Sequence, residues 1–290
     1  MIRRRVTPFL RVAGAVLTAL VVCTATEWPA WASTQLPGYS HIVVVVEENH
    51  SDSAIIGNKS APFMNSLAAN GALMTESFAV GHPSEPNYLA LFAGSTFGLD
   101  SDACPVDAGA APNLASELFS AGYTFGGFAE DLPAVGSTVC SAGKYARKHA
   151  PWVNFTNVPA TASMPFTSFA SVTDGSSLPT VSFVVPNLDN DMHDGTVAQA
   201  DNWLATNISP YANWAKANNS LLIVTWDEDD NSENNRIPTI FYGANVKTGS
   251  YNEPISHYNV LSTVEQVYGL PKSGNAAAAP PIADIWGVSG

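Results

Sequence analysis

Between residues 36 and 290 the chain is punctuated by short, mostly apolar runs that do not alternate polar with apolar. Residues 42–46, 180–185, 221–226 and 237–242 are such runs, rich in β-branched and aromatic side chains. Because none alternates polar with apolar, each reads as a strand buried on both faces, the signature of a parallel sheet. A further stretch, 73–80, reads as a weaker strand. Apolar positions at helical spacing predict helices over 61–69, 113–121, 198–217 and 258–268, the last placing Val260, Leu261, Val264 and Val267 on one face. Strands alternating with helices predict an α/β fold: a three-layer α/β/α sandwich around a mostly parallel sheet. The Pro/Ser/Thr-rich stretch 158–177 and the tail 276–281 read as irregular.

The first residues have a different pattern. Arg3, Arg4, Arg5 and Arg11 precede an apolar run over 12–22, and Ala30-Trp31-Ala32 offers a small-x-small cleavage site. This predicts a secretory signal over 1–32 and a single catalytic domain over 33–290, secreted or held in the cell envelope without a stable membrane anchor. The whole chain carries a formal charge of −13. The leader holds four arginines and Glu27, so the remainder is more acidic still, which excludes nucleic acid as a partner. A small phosphorylated substrate stays compatible, because local cations reverse the field inside a cleft. Two cysteines, Cys104 and Cys140, lie beyond the leader. In an exported chain the expectation is one disulfide between them; two buried thiols are the alternative.

In open α/β sheets the site lies beyond the carboxyl ends of the strands, so the segments at those ends hold the candidate chemistry. The first strand runs into Glu47-Glu48-Asn49-His50 and the weaker one into His82-Pro83-Ser84-Glu85-Pro86-Asn87. The strand 180–185 runs into a loop containing Asn187, Asp191 and His193, and 221–226 runs into Asp227-Glu228-Asp229-Asp230. Carboxylates gathered at one sheet edge need a compensating cation. Oxygen ligands from Glu48, Asn49 and Asp227, with Glu228 or Asp229, suit Ca²⁺, Mg²⁺ or Mn²⁺; zinc also accepts such donors. Ser84, close to a helix start signalled by Pro86, could be activated there as a nucleophile. His82, His193 and His257 are candidates to hold phosphate or protonate a leaving group, with His50 and His149 behind them; His41 precedes its strand at the opposite end.

Taken in order, these segments, with Pro186-Asn187, His193-Asp194 and His257-Tyr258, resemble the bacterial and fungal acid phosphatases of the phosphoesterase family, which also holds phosphatidylcholine-type phospholipases C. The resemblance implies an alkaline-phosphatase-like fold and phosphate monoester hydrolysis through a phosphoserine. It implies metal binding by Glu48, Asn49, Asp227 and a neighbouring acid, either Glu228 or Asp229. Ser84-Glu85-Pro86-Asn87 also resembles the Thr-x-Pro-Asn segment of nucleotide pyrophosphatases, which places the nucleophile at Ser84. It further implies phosphate contacts from His82, Asn87 and Asn187 and catalytic roles for His193 and His257. A phospholipase C or other phosphodiesterase is the alternative enzyme, and a non-catalytic binding protein on the same fold the alternative of another class.

Overall fold

A computed structural model of the chain describes residues 1–2, 36–170 and 175–287; the predicted leader and its cleavage site lie outside these residues. The unit beginning at Leu36 is built on β1 (His41–Glu47), β2 (Ala72–Met74), β3 (Phe125–Ala129), β4 (Ser163–Pro165), β5 (Val181–Val185), β6 (Ser220–Trp226), β7 (Thr239–Gly243) and β8 (Gly249–Tyr251). They form one eight-stranded sheet in the order β8-β2-β7-β6-β1-β5-β3-β4. The block from β6 to β4 is parallel, with β1 at its heart between β5 and β6. β7 runs antiparallel to both β6 and β2. The predicted strand 73–80 is split: after β2 the chain turns, and Ser77–Phe78 pairs instead with Ile255–Ser256.

Among the described residues, six helices of seven residues or more flank the sheet: α1 (Pro62–Asn70), α2 (Ser84–Ala93), α3 (Leu114–Ser120), α4 (Val197–Asn207), α5 (Ser209–Ala217) and α6 (His257–Val267). The predicted helix 198–217 is two helices, because Pro210 has no N–H to continue the ladder across the junction at Ile208. The buried alternation of β1 explains the layers. Ile42, Val44 and Val46 join one core with α2, α3 and α6, whereas Val43 and Val45 join another with α1, α4 and α5. Each fully buried aliphatic side chain of this kind contributes about 1.5–3 kcal/mol.

α2 is held by Phe92, whose ring lies 5.4, 5.6 and 5.7 Å from those of Phe125, Phe155 and Phe183. The strand β3 escaped sequence reading because it is Phe-Gly-Gly-Phe-Ala; a Cβ at Gly127 would run into the indole of Trp152. Cys104 and Cys140 form the expected disulfide. Closing a loop of that separation contributes about 3–4 kcal/mol on the chain-entropy account. Among the described residues no helix is long and apolar enough to cross a membrane.

A second buried polar group lies away from the carboxyl edge. Ser273 donates its N–H to Glu265 Oε1 (2.8 Å) and its hydroxyl to Glu117 Oε1 (2.7 Å), while the other oxygen of each carboxyl is buried without a partner. Burial, reinforced by Glu117, pushes the Glu265 carboxyl up to about 7. A carboxyl raised in this way favours folding below its unfolded value of 4.5, and that contribution is lost as pH rises through about 7. Nearby Lys272, lowered to about 8 by burial, works in the opposite sense: its contribution is lost as pH falls through that value. Glu265→Gln retains an acceptor for Ser273 and removes the charge. Thermal melts should show it stabilising the fold by about 1–3 kcal/mol near pH 8 and hardly at all near pH 4.5.

Candidate active site

β1, β5 and β6 are neighbours, and their carboxyl ends bring Glu48, Asp191 and Asp227 into one buried cluster. Backbone bonds fix the junction: Glu48 N–H donates to Asp191 O (2.9 Å) and Asp227 N–H to Glu47 O (3.0 Å). Asn49 takes a left-handed φ of 46°, which asparagine tolerates, and turns its N–H onto Asp227 Oδ1 at 3.1 Å. Ser84 is the first residue of α2 and is 1% exposed. Its hydroxyl lies 3.2 Å from Glu48 Oε2 and 3.3 Å from Glu228 Oε1. The predicted convergence of Ser84, Glu48, Asn49, Asp227 and Glu228 is therefore what the fold builds.

Glu48 faces two ways. Its Oε1 accepts from the Tyr88 hydroxyl and lies 3.1 Å from His149 Nε2, while His149 Nδ1 lies 3.4 Å from Asp191 Oδ2. His149 stacks on Tyr88, with ring centroids 5.0 Å apart. Its pKa is held well below the usual imidazole range, chiefly by burial. Sequence ranks His149, with His50, behind His82, His193 and His257 and gives Tyr88 and Asp191 no role, because a short turn, Arg147–His149, delivers the histidine after only a two-residue strand, Tyr145–Ala146, which leaves no apolar run to mark it. A signal was present: Arg147-Lys148-His149 concentrates basic side chains in a chain with only 12 Lys and Arg. Lys148, bound to Asp102 at 2.8 Å, is a cation whose field partly opposes the burial-driven rise in the pKa of Glu48 and Glu228.

The other candidates are placed less simply. His82, about one-third exposed, sets Nδ1 2.6 Å from Glu228 Oε2 and Nε2 3.3 Å from Asp229 Oδ1. Asp229 is occupied by its own loop, its oxygens accepting from the N–H groups of Asn231, Glu233 and Asn235. Of the two acids left open, Glu228 is the one beside Ser84. Asn87 corrects an expectation. Its amide accepts from Val80 and Gly81 N–H and donates to Gly81 and Pro83 carbonyls, so it fastens the turn carrying His82 and has nothing left for phosphate. Asn187 is likewise engaged, with Asp131, Asp189 and Asn190. His257 is buried with Nε2 2.7 Å from the Asp227 carbonyl, and burial lowers its pKa to about 4. It props the acidic loop instead of facing Ser84. His193 is exposed, bound to Asp194 at 2.8 Å, with its ring 6.0 Å from that of His149.

The electrostatics test whether these residues fit a cation. Burial first, then Asp227 and Asp191, drives the Glu48 pKa well above the carboxylate range. Burial and then Glu228 raise that of Asp227, and burial pushes Glu228 up to about 7. His149 Nε2, Asp191 Oδ2 and Glu228 Oε2 are buried and make no aligned hydrogen bond, their close contacts being Glu48 Oε1, His149 Nδ1 and His82 Nδ1. The Asn49 amide sits 2.6 Å from Glu48 Oε2 and 3.1 Å from Asp227 Oδ1, and with its oxygen turned inward three oxygens converge. Such a crowd is costly alone and favourable around a divalent ion. Glu48, His149 and Asp191 also bring ligand atoms within 4.8 Å of one another. The donor set fits a metal.

The architecture is alkaline-phosphatase-like. A superfamily protein from Vibrio parahaemolyticus superposes with a TM-score of 0.61 at 14% identity, over 86% of this chain and 72% of that one. The lipoteichoic acid synthase LtaP from Listeria monocytogenes gives 0.59 at 12% identity, over 83% and 74%. Within that class the chain belongs to the Phosphoesterase family, which matches residues 58–271. Glu48 and Asn49 precede that span. The chain is 71% identical over 256 residues to a phosphatidylinositol-3-phosphatase of Mycobacterium tuberculosis, covering 88% of this chain and 86% of the relative. It is 32% identical to a phosphate-repressible acid phosphatase of Penicillium chrysogenum, covering 73% of this chain and 55% of the relative. With these relatives it is a phosphoric monoester hydrolase.

Proposed function

We propose that this chain is an exported, metal-dependent acid phosphatase that cleaves phosphate monoesters through Ser84 and accepts phosphorylated inositol lipids. The reading is carried by one observation: a buried hydroxyl at a helix start, within 3.3 Å of two carboxylates in a crowded, buried acidic cluster. Export is supported by the basic-then-apolar start of the chain and by the disulfide, which suits an oxidising compartment. The acid range and the lipid substrate come from the names of the relatives.

Glu48, Asn49, Asp227 and Glu228 would hold the ion beside Ser84; their oxygen donors favour a hard cation. When bound, it would supply positive charge that lowers the hydroxyl's pKa and polarises the phosphoryl group. Ser84 attacks phosphorus, its proton passing to Glu48 or Glu228, the acceptors in reach. The positive end of the α2 dipole, where Ser84 sits, faces the anion as charge develops; of the first-turn N–H groups, that of Glu85 is already given to Asp102 and Pro86 has none. His82 stands at the open side of the cluster and would give the leaving oxygen its proton. Water then releases phosphate from the serine, the proton path reversed. Asp229, Asn87 and His257 position this apparatus without touching substrate.

Chelation followed by return of single cations tests the reading. Hydrolysis of para-nitrophenyl phosphate should disappear on metal removal and return with one or more of Mg²⁺, Ca²⁺, Mn²⁺ or Zn²⁺. The same additions should raise the melting temperature of the stripped protein. Full turnover in a preparation shown by elemental analysis to be metal-free would sink metal dependence.

A further inference from the structure

Among the described residues from Leu36 onward four large apolar side chains are exposed, and two of them, Val135 (55%) and Val139 (44%), sit in one loop. That loop comes after β3, whose carboxyl end lies at the same edge as Glu48 and Asp227. In a strongly acidic chain, residues 132–143 carry no charged side chain. The loop is braced, not loose. Gly136 N–H donates to Ser163 O (2.8 Å), and Arg147 donates to Thr138 O (2.9 Å). The two valines therefore stand out from fixed points.

Beneath the loop is a cavity of about 500 Å³, a size that takes up small ligands, with Gly136 and Thr138 at its rim and Trp152, Phe155 and Val158 in its wall. Arg147 lines it too, its terminal nitrogens bonded to Thr138 O, Val106 O and Asn154 Oδ1 and its Nε buried without a partner. A neutral apolar group would meet the aromatic walls. The cavity is linked to the centre: Asn154, in its wall, donates to Glu85 Oε1 at 3.2 Å, beside Ser84. The disulfide makes a second link, joining Cys140 to the segment whose Asp102 accepts from Glu85 N–H at 3.0 Å.

We propose that loop 132–140 and the cavity under it form a docking face for a phospholipid surface. Val135 and Val139 seat in the bilayer's apolar margin, and the cavity takes up an acyl chain of the lipid whose phosphate reaches Ser84. This rests on the phosphatase reading and adds how a lipid substrate would be presented. An uncharged, apolar contact also lets a chain this acidic approach a membrane without a basic patch.

The test is sedimentation with phosphatidylcholine vesicles carrying phosphatidylinositol 3-phosphate, for wild type, the double variant Val135→Asp/Val139→Asp, and Ala160→Trp, which fills the exposed mouth of the cavity. Both variants should bind vesicles at least about tenfold more weakly, with KM on the vesicles rising in step. Their hydrolysis of para-nitrophenyl phosphate should match wild type, which also reports that they fold. Wild-type-like sedimentation by either variant, or no sedimentation of wild type, overturns the proposal. The phosphatase reading is judged separately, by whether wild type cleaves the soluble ester.

Discussion

Ser84→Ala is expected to lower kcat for any monoester by at least about 10⁴-fold while leaving the fold intact, the scale seen when a nucleophile acting as part of a unit is removed. The replacement removes only a hydroxyl, and α2 stays anchored by Phe92 among Phe125, Phe155 and Phe183. Acid quenching during turnover supplies an independent reading. Wild type given phosphate-labelled substrate should retain label on the protein, and the variant should retain none. Label kept by the variant would move the nucleophile to another side chain.

The second large effect separates activity from stability. Glu48 is fully buried, shares its oxygens among Ser84, Tyr88 and His149, and has its charged form disfavoured by burial, Asp227 and Asp191. Glu48→Gln should cost about 10²–10³-fold in kcat/KM, because the charge that organises the ion beside the nucleophile is gone. In the metal-free protein the same change should raise the melting temperature by several degrees, since a buried, poorly compensated carboxylate is removed at nearly constant volume. Added cation should then stabilise the variant far less than wild type. A variant that melts lower than wild type in the metal-free state would mean the carboxyl is already well satisfied there.

Much of this centre was readable because buried parallel strands announce themselves and their carboxyl ends mark where chemistry belongs. Glu48, Asn49, Asp227 and Glu228 each come within three residues of the end of a mostly apolar run, and Ser84 comes after a weaker one. The acidic turn after β6 was ambiguous by composition, and burial separates its members: Asp227, Glu228 and Asp229 are enclosed, Asp230 is exposed. The features that escaped did so for physical reasons. β3 gives up side chains to admit Trp152, so it lacks the apolar run of a strand. The antiparallel sense of β7 leaves no mark in its own residues. Amides mislead because the groups that would bind phosphate serve equally to fasten turns, as Asn87 and Asn187 do. His257 misled similarly, since its contact is a main-chain carbonyl.

The contacts that define the centre join positions 36, 144 and 178 residues apart along the chain. No contiguous fragment therefore carries a reactive unit. Only when the three central strands lie side by side do the groups meet, so catalytic competence reports completion of the whole α/β unit, and a partially assembled chain is silent.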